Sequence, residues 1–320
     1  MKQYSWKKPS SFAETVRLVE NFVEQQIVKE TAQKQLYYHT IDHALSVKRR
    51  AIKIFGAIES IAVKSQSSIE SNRLESLIEL CAMSHDMVQQ FSLSDRHQIP
   101  RKRIPGVSEA ATVEKLFEYI KNLNRALLID FDSSILFNDL DLAIIEDAIL
   151  ATVCERDPQA GKVAYSFSSH SIYQPYLYNF EPKTSIAGNI LALADLGTLG
   201  VDGIKSYIRE GILVFLEDNL DVRNFILDYD YPNLSIQTTI KDRLLNMARF
   251  IVNLAQERKA RFELEIAGFC PQARQILRED VFIHLTQENI ERVKAIVPTR
   301  NNVSLAELID FFRSNNNLDV

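Results

Sequence analysis

Three of the chain's six histidines stand where chemistry is possible. His39 and His43 lie four apart in Tyr38-His39-Thr40-Ile41-Asp42-His43-Ala44, and His85 is followed directly by Asp86 in Leu80-Cys81-Ala82-Met83-Ser84-His85-Asp86-Met87. An imidazole with an ordinary pKa near 6.5 can pass a proton at neutral pH. A buried carboxylate beside a buried imidazole is costly unless each is paired or holds a cation. Asp195 raises the same question, because the helical stretch Ile186-Ala-Gly-Asn-Ile-Leu-Ala-Leu-Ala-Asp195 is otherwise almost wholly apolar. Singly, each residue has a plain structural explanation, since a histidine on an apolar face is more often hydrogen-bonded than metal-bound. Together, two imidazoles and two carboxylates make a mixed N/O set suited to one divalent transition metal, Mn²⁺, Fe²⁺, Co²⁺, Ni²⁺ or Zn²⁺. The residues alone leave both readings open.

Helices must bring these groups together. If a helix begins at Thr40, His39 sits in the turn ahead of it and His43 in its first turn, so both rings can face one cleft. That helix carries Ile41, Ala44, Leu45, Val47 and Ile52 and is expected to stop near Gly56, and another starts at Ser71 or Asn72. Apolar three-to-four spacing predicts further helices over 11–29, 108–124, 141–154, 185–197, 203–217, 236–266, 271–278, 286–295 and 304–313. Irregular stretches are expected at 92–107, 156–184 and 218–235. The pattern predicts an all-α multi-helix bundle in which 1–235 forms the main domain and 236–320 a C-terminal helical extension.

Composition narrows the function classes. Nine glycines and nine prolines in 320 residues are too few turn-formers for a many-stranded β-protein, and 46% hydrophobic residues exclude a disordered chain. A formal charge of −5 gives no general attraction to DNA, RNA or an anionic membrane. Cys81, Cys154 and Cys270 are scattered, so neither a disulfide framework nor a thiolate metal site is expected, and a reducing cytoplasm fits best. The sequence shows no signal peptide or membrane-spanning run, and lacks dinucleotide, P-loop, serine-elbow and zincin motifs. Homo-oligomerisation is left open.

The order His, then His-Asp, then Asp on an all-helical chain resembles the HD-domain superfamily of metal-dependent phosphohydrolases. The 38–44 segment is similar to the Tyr-His-Asn-x-x-His-Ala motif that such proteins share with cyclic-nucleotide phosphodiesterases, departing at Thr40. Glu109-Ala-Ala-Thr112 resembles a Glu-x-x-Ser-Ala element that follows the His-Asp pair in one bacterial branch. The likeness spans about 36–200. It implies that His43, His85, Asp86 and Asp195 are the metal ligands, that His39 protonates a leaving oxygen, and that Glu109 orients the attacking water. The implied reaction is hydrolysis of a small phosphate ester, expected to be a nucleotide, by a metal-held water.

Two departures bear on that expectation. Binuclear members carry further histidines between the His-Asp pair and the last Asp, whereas Glu146-Asp-Ala-Ile-Leu-Ala-Thr-Val-Cys-Glu-Arg-Asp157 has none, which argues against a second metal. The Gly-Lys that often follows His-Asp in nucleotide-acting members is replaced by Met87-Val88-Gln89-Gln90. A silent HD domain that senses a nucleotide or holds partners is therefore the alternative, with a di-iron oxygenase on the same helices ranked last. Arg96, His97, Arg101 and Arg103 concentrate positive charge just after the His-Asp pair and are expected to bind substrate phosphate.

Overall fold

A helix bends its apolar stripe toward whatever can cover it, and here helix covers helix almost throughout. The computed structural model describes residues 9–65, 70–92, 101–128, 133–156, 172–178, 185–228 and 234–315. Among them are thirteen α-helices and one two-residue antiparallel pair, β1 (Glu155–Arg156) with β2 (Ile172–Tyr173), so the fold is all-α. No described helix is long and apolar enough to cross a membrane.

The helices that matter most for the site are α1 (Phe12–Lys34), α2 (Ile41–Ser65), α3 (Ser71–Ser84), α4 (Val107–Leu127), α5 (Asp139–Leu150) and α6 (Ile186–Asp195). α2 packs on α3 and α6, α3 on α1 and α5, and α5 on α6. Val47, Ala51, Ile54, Leu77, Ile78, Cys81, Ile145, Ala148, Leu191 and Ala194 form the shared buried interior. Short α7 (Thr198–Asp202), α8 (Ile204–Asp218), α9 (Leu220–Asp228) and the long α10 (Leu234–Glu265) follow, and α11 (Pro271–Ile276), α12 (Gln287–Ile296) and α13 (Leu305–Ser314) complete the chain.

Local chemistry fixes where these helices start and how closely they approach. Asn138 and Asp141 form a capping box at the start of α5. Asp141 also receives a forked pair of hydrogen bonds from Arg73 of α3, whose guanidinium lies 3.7 Å over the Phe12 ring and joins α1, α3 and α5 at one point. α6 is seated by Asp147, which accepts from the Ser185 N–H (3.1 Å) and the Tyr176 hydroxyl (2.5 Å). Gly188 makes that seat possible, because a Cβ there would lie 2.4 Å from the Tyr176 oxygen.

Several elements differ from the sequence expectation, among them α7, which lies between the helices expected over 185–197 and 203–217. α2 does not stop near Gly56 but runs to Ser65, because Ile54, Phe55 and Ile58 keep its buried stripe continuous past the glycine. The stretch expected to be irregular at 218–235 contains α9, held by burial of Val222 and Ile226. Gly56 sits in helical backbone with nothing within 4 Å of the position a Cβ would take. Gly56→Ala is therefore expected to stabilise the protein by about 0.5–1 kcal/mol, seen as a melting temperature about 2 °C higher in calorimetry.

Candidate metal centre

The four residues His43, His85, Asp86 and Asp195 converge. One donor atom from each lies within 4.8 Å of all the others, although the residues lie on or at the ends of three separate helices. A tight turn in which the Thr40 N–H donates to the Tyr38 carbonyl (2.8 Å) leads into α2, and places His39 just before the helix and His43 in its first turn. His85 and Asp86 follow the last turn of α3, and Asp195 is the last residue of α6.

Distances within the cluster match the spacing of ligands around one ion. His85 Nε2 is 2.9 Å from Asp86 Oδ2 and 3.6 Å from Asp195 Oδ1, and His43 Nε2 is 3.3 and 3.6 Å from the same two atoms. Ligands about 2.1 Å from a metal sit about 3.0–3.4 Å apart. His85 Nδ1 donates to the Ala82 carbonyl (2.9 Å), which leaves the Nε2 lone pair facing the cluster. Neither His43 Nε2 nor His85 Nε2 makes a hydrogen bond of acceptable alignment, though both are buried from water. Orphaned buried nitrogens beside two carboxylates fit a divalent cation better than they fit a hydrogen-bonded core. Asp195 is steadied through its other oxygen by Gln174 Nε2 (2.9 Å), and Asp86 by Gln89 Nε2 (3.0 Å).

Charge within the cluster is strongly coupled. Burial opposes a positive His85, but the adjacent Asp86 and Asp195 outweigh it and hold the imidazole pKa well above its ordinary value. Burial likewise opposes a negative Asp86, and the charges of His85 and His39 overrule it and hold the carboxyl pKa well below the usual range. Without a cation the two histidines must stay protonated to balance the carboxylates, so protons and metal compete for one cluster.

His39 is held separately. Its Nδ1 lies 2.5 Å from Glu217 Oε1, and the second Glu217 oxygen accepts the backbone N–H groups of Tyr37, Tyr38 and His39 at 2.8, 2.8 and 3.1 Å. Its Nε2 faces the cluster, 3.7 Å from Asp86 Oδ2. Glu217, at the end of α8, is fully buried and pairs with Arg103, which also reaches Asp218 (2.8 Å) and Gln89 Oε1 (3.0 Å). Burial would raise the Glu217 pKa, but His39, Arg103 and the backbone donors lower it to about 2. Sequence reading missed Glu217. A signal was present: two acids close an apolar helix at its C-terminus, where the helix dipole disfavours negative charge.

The remaining site residues divide. Arg103 and Glu109 line the same cavity as His39, Asp86 and Asp195. Glu109 lies in the first turn of α4, and burial, reinforced by Asp86 and Asp195, raises its pKa. Arg101 does not line that cavity; its guanidinium donates to the backbone carbonyls of Lys34, Gln35 and Glu217 and ties the ends of α1 and α8 together. Arg96 and His97 lie outside the described residues, as does His170. His284 packs against Gly203, away from the cluster.

Compared with family models, curated proteins and solved structures, the chain gives no match. The centre therefore stands on its own geometry.

Two outcomes are expected. Elemental analysis of the purified protein should give about one equivalent of transition metal, falling to near zero in His85→Ala and in Asp86→Ala. Because the folded pKa of Glu217 is depressed, its ion pairs contribute fully above about pH 4.5, and that contribution is lost as the pH falls toward about 2. Denaturant titration should find Glu217→Gln about 3 kcal/mol less stable than the native chain at pH 7, with the gap narrowing by pH 3.

Proposed function

We propose that the chain is a metal-dependent phosphohydrolase of the HD type, acting on a small phosphate ester at the His43, His85, Asp86 and Asp195 cluster. The observation that carries this reading is the pairing of two features: a four-donor cluster with orphaned imidazole nitrogens, and beside it an imidazole that is not part of the cluster, is fixed by a buried carboxylate and lines one cavity with the cluster's Asp86 and Asp195. A divalent cation held by the four would supply a water of lowered pKa and offset charge developing on the phosphoryl oxygens.

The protein's own groups account for the rest. Glu217 accepts from His39 Nδ1 and so fixes the ring with Nε2 toward the cluster. As the ester P–O bond breaks, the proton on Nε2 goes to the departing oxygen and prevents a free alkoxide from building up. Glu109, which lines the cavity and whose carboxyl is pushed up by burial, would orient the incoming water and accept its proton. Gln174 and Gln89 keep Asp195 and Asp86 from turning away. Arg103 lines the cavity, yet its charge is engaged by Glu217 and Asp218, so its main part is to hold Glu217 in place. In the proposed division at residue 235, the main domain supplies the cluster and the first C-terminal helix, α10, supplies a wall of the cavity.

A panel of phosphate monoesters and diesters tests the reading. His39→Ala is expected to retain its metal and remain folded, with a lower melting temperature because Glu217 loses a partner, while kcat falls about 10²- to 10⁴-fold. Glu217→Gln should show a similar but smaller loss in kcat. Metal uptake with no turnover of any ester above the His43→Ala background would favour the silent, nucleotide-sensing alternative.

A further inference from the structure

The cavity lined by Asp86 and Asp195 of the cluster is large and unevenly lined. It encloses about 640 Å³, within the range of small-molecule sites. His39, Asp86, Glu109 and Asp195 occupy part of its wall. Another part is made by Leu196 just after α6, Val214 and Phe215 of α8, and Met247, Phe250 and Leu254 of α10. All of these except Met247 are only partly buried, so they present apolar surface to the cavity and not only to the core.

Several polar side chains that also line the cavity are engaged within the protein, while Tyr38 and Arg156 line it as well. Gln89 bridges Asp86 and Arg103, Tyr207 donates to the Ile251 carbonyl (2.6 Å), Asn219 donates to the Phe215 carbonyl (2.7 Å), and Thr198 donates to Glu210 (2.5 Å). Ser108 accepts from the Gln90 N–H (2.9 Å), and Arg258 pairs with Glu265. A sugar or a base edge buried here would lose hydrogen bonds to water and find few replacements, at a cost in affinity for each unpaired group. An apolar body would lose nothing and would cover six apolar side chains.

We propose that the organic group of the ester is apolar, an alkyl chain or an aromatic ring seated against Val214, Phe215, Phe250 and Leu254, and that the site selects against polar sugar and nucleotide esters. The inference rests on the hydrolase reading for its chemistry but not for its binding surface.

The test is a series of n-alkyl phosphates from methyl to octyl, with glycerol 3-phosphate and adenosine 5′-monophosphate as polar comparators. kcat/KM is expected to rise about threefold per added methylene until the wall is covered, and to exceed that for both polar esters. Phe250→Asp and, separately, Leu254→Asn should flatten the dependence on chain length, and two variants guard against one that fails to fold. Binding of octylphosphonate and methylphosphonate to the native chain, measured by calorimetry at several temperatures, separates this proposal from the one it builds on. Octylphosphonate should bind about a hundredfold more tightly with a negative heat-capacity change even if no ester is turned over. Equal affinity for the two phosphonates, or a polar ester preferred to octyl phosphate, would overturn it.

Discussion

Two carboxylates and two imidazoles are enclosed together at the junction of α2, α3 and α6, and the rest of the structure is arranged around that unfavourable concentration of polar groups. Burial opposes charge on each of the four, so the cluster persists only if the charges balance. In the absence of metal, balance needs protons on the histidines; with a divalent cation it needs none. The orphaned Nε2 atoms of His43 and His85 are compatible with the second arrangement. Helices pinned by unrelated contacts, α5 by the Asn138 capping box and α6 by Asp147, hold the donors close whichever species balances them.

His39 and Glu217 illustrate a different constraint. One carboxylate collects three backbone N–H groups, an imidazole and a guanidinium, and so joins the turn before α2 to the end of α8. That convergence makes Glu217 at once a structural tie and the partner of the proposed proton donor. Arg101 shares the structural half of this work, since its guanidinium fastens the end of α1 to the same end of α8. Arg101 and Arg103 thus both help to hold the frame of the site, a part that charge counting along the sequence does not distinguish from phosphate binding.

The all-helical class was legible from residue type and spacing, whereas the four-residue set was singled out only by the resemblance of the His, His-Asp, Asp order to the HD-domain superfamily. Three-to-four apolar periodicity located α3, α8, α12 and α13 to within a residue or two at most ends, and the interruption of apolar faces by His85-Asp86 and Asp195 pointed to groups that needed partners. What escaped was set by tertiary packing. Gly56 reads as a stop in isolation, but burial on both sides of it carries α2 onward. Glu217, Gln174 and Gln89 act through contacts with residues 21 to 178 positions away or through the turn of a single loop, and no local pattern marks them apart from ordinary polar residues. The apolar wall shared by α8 and α10 was likewise invisible, because core and cavity positions have the same composition and differ only in what faces them.

Convergence of four donors on one ion is the central claim, and anomalous diffraction at the absorption edge of the bound metal tests it most directly. The account predicts a single strong peak within coordination distance of His43 Nε2, His85 Nε2, Asp86 and Asp195, with His39 near but not bound. Metal-loaded crystals with no peak among these four side chains, or with the peak elsewhere and the imidazoles hydrogen-bonded to the carboxylates, would contradict it.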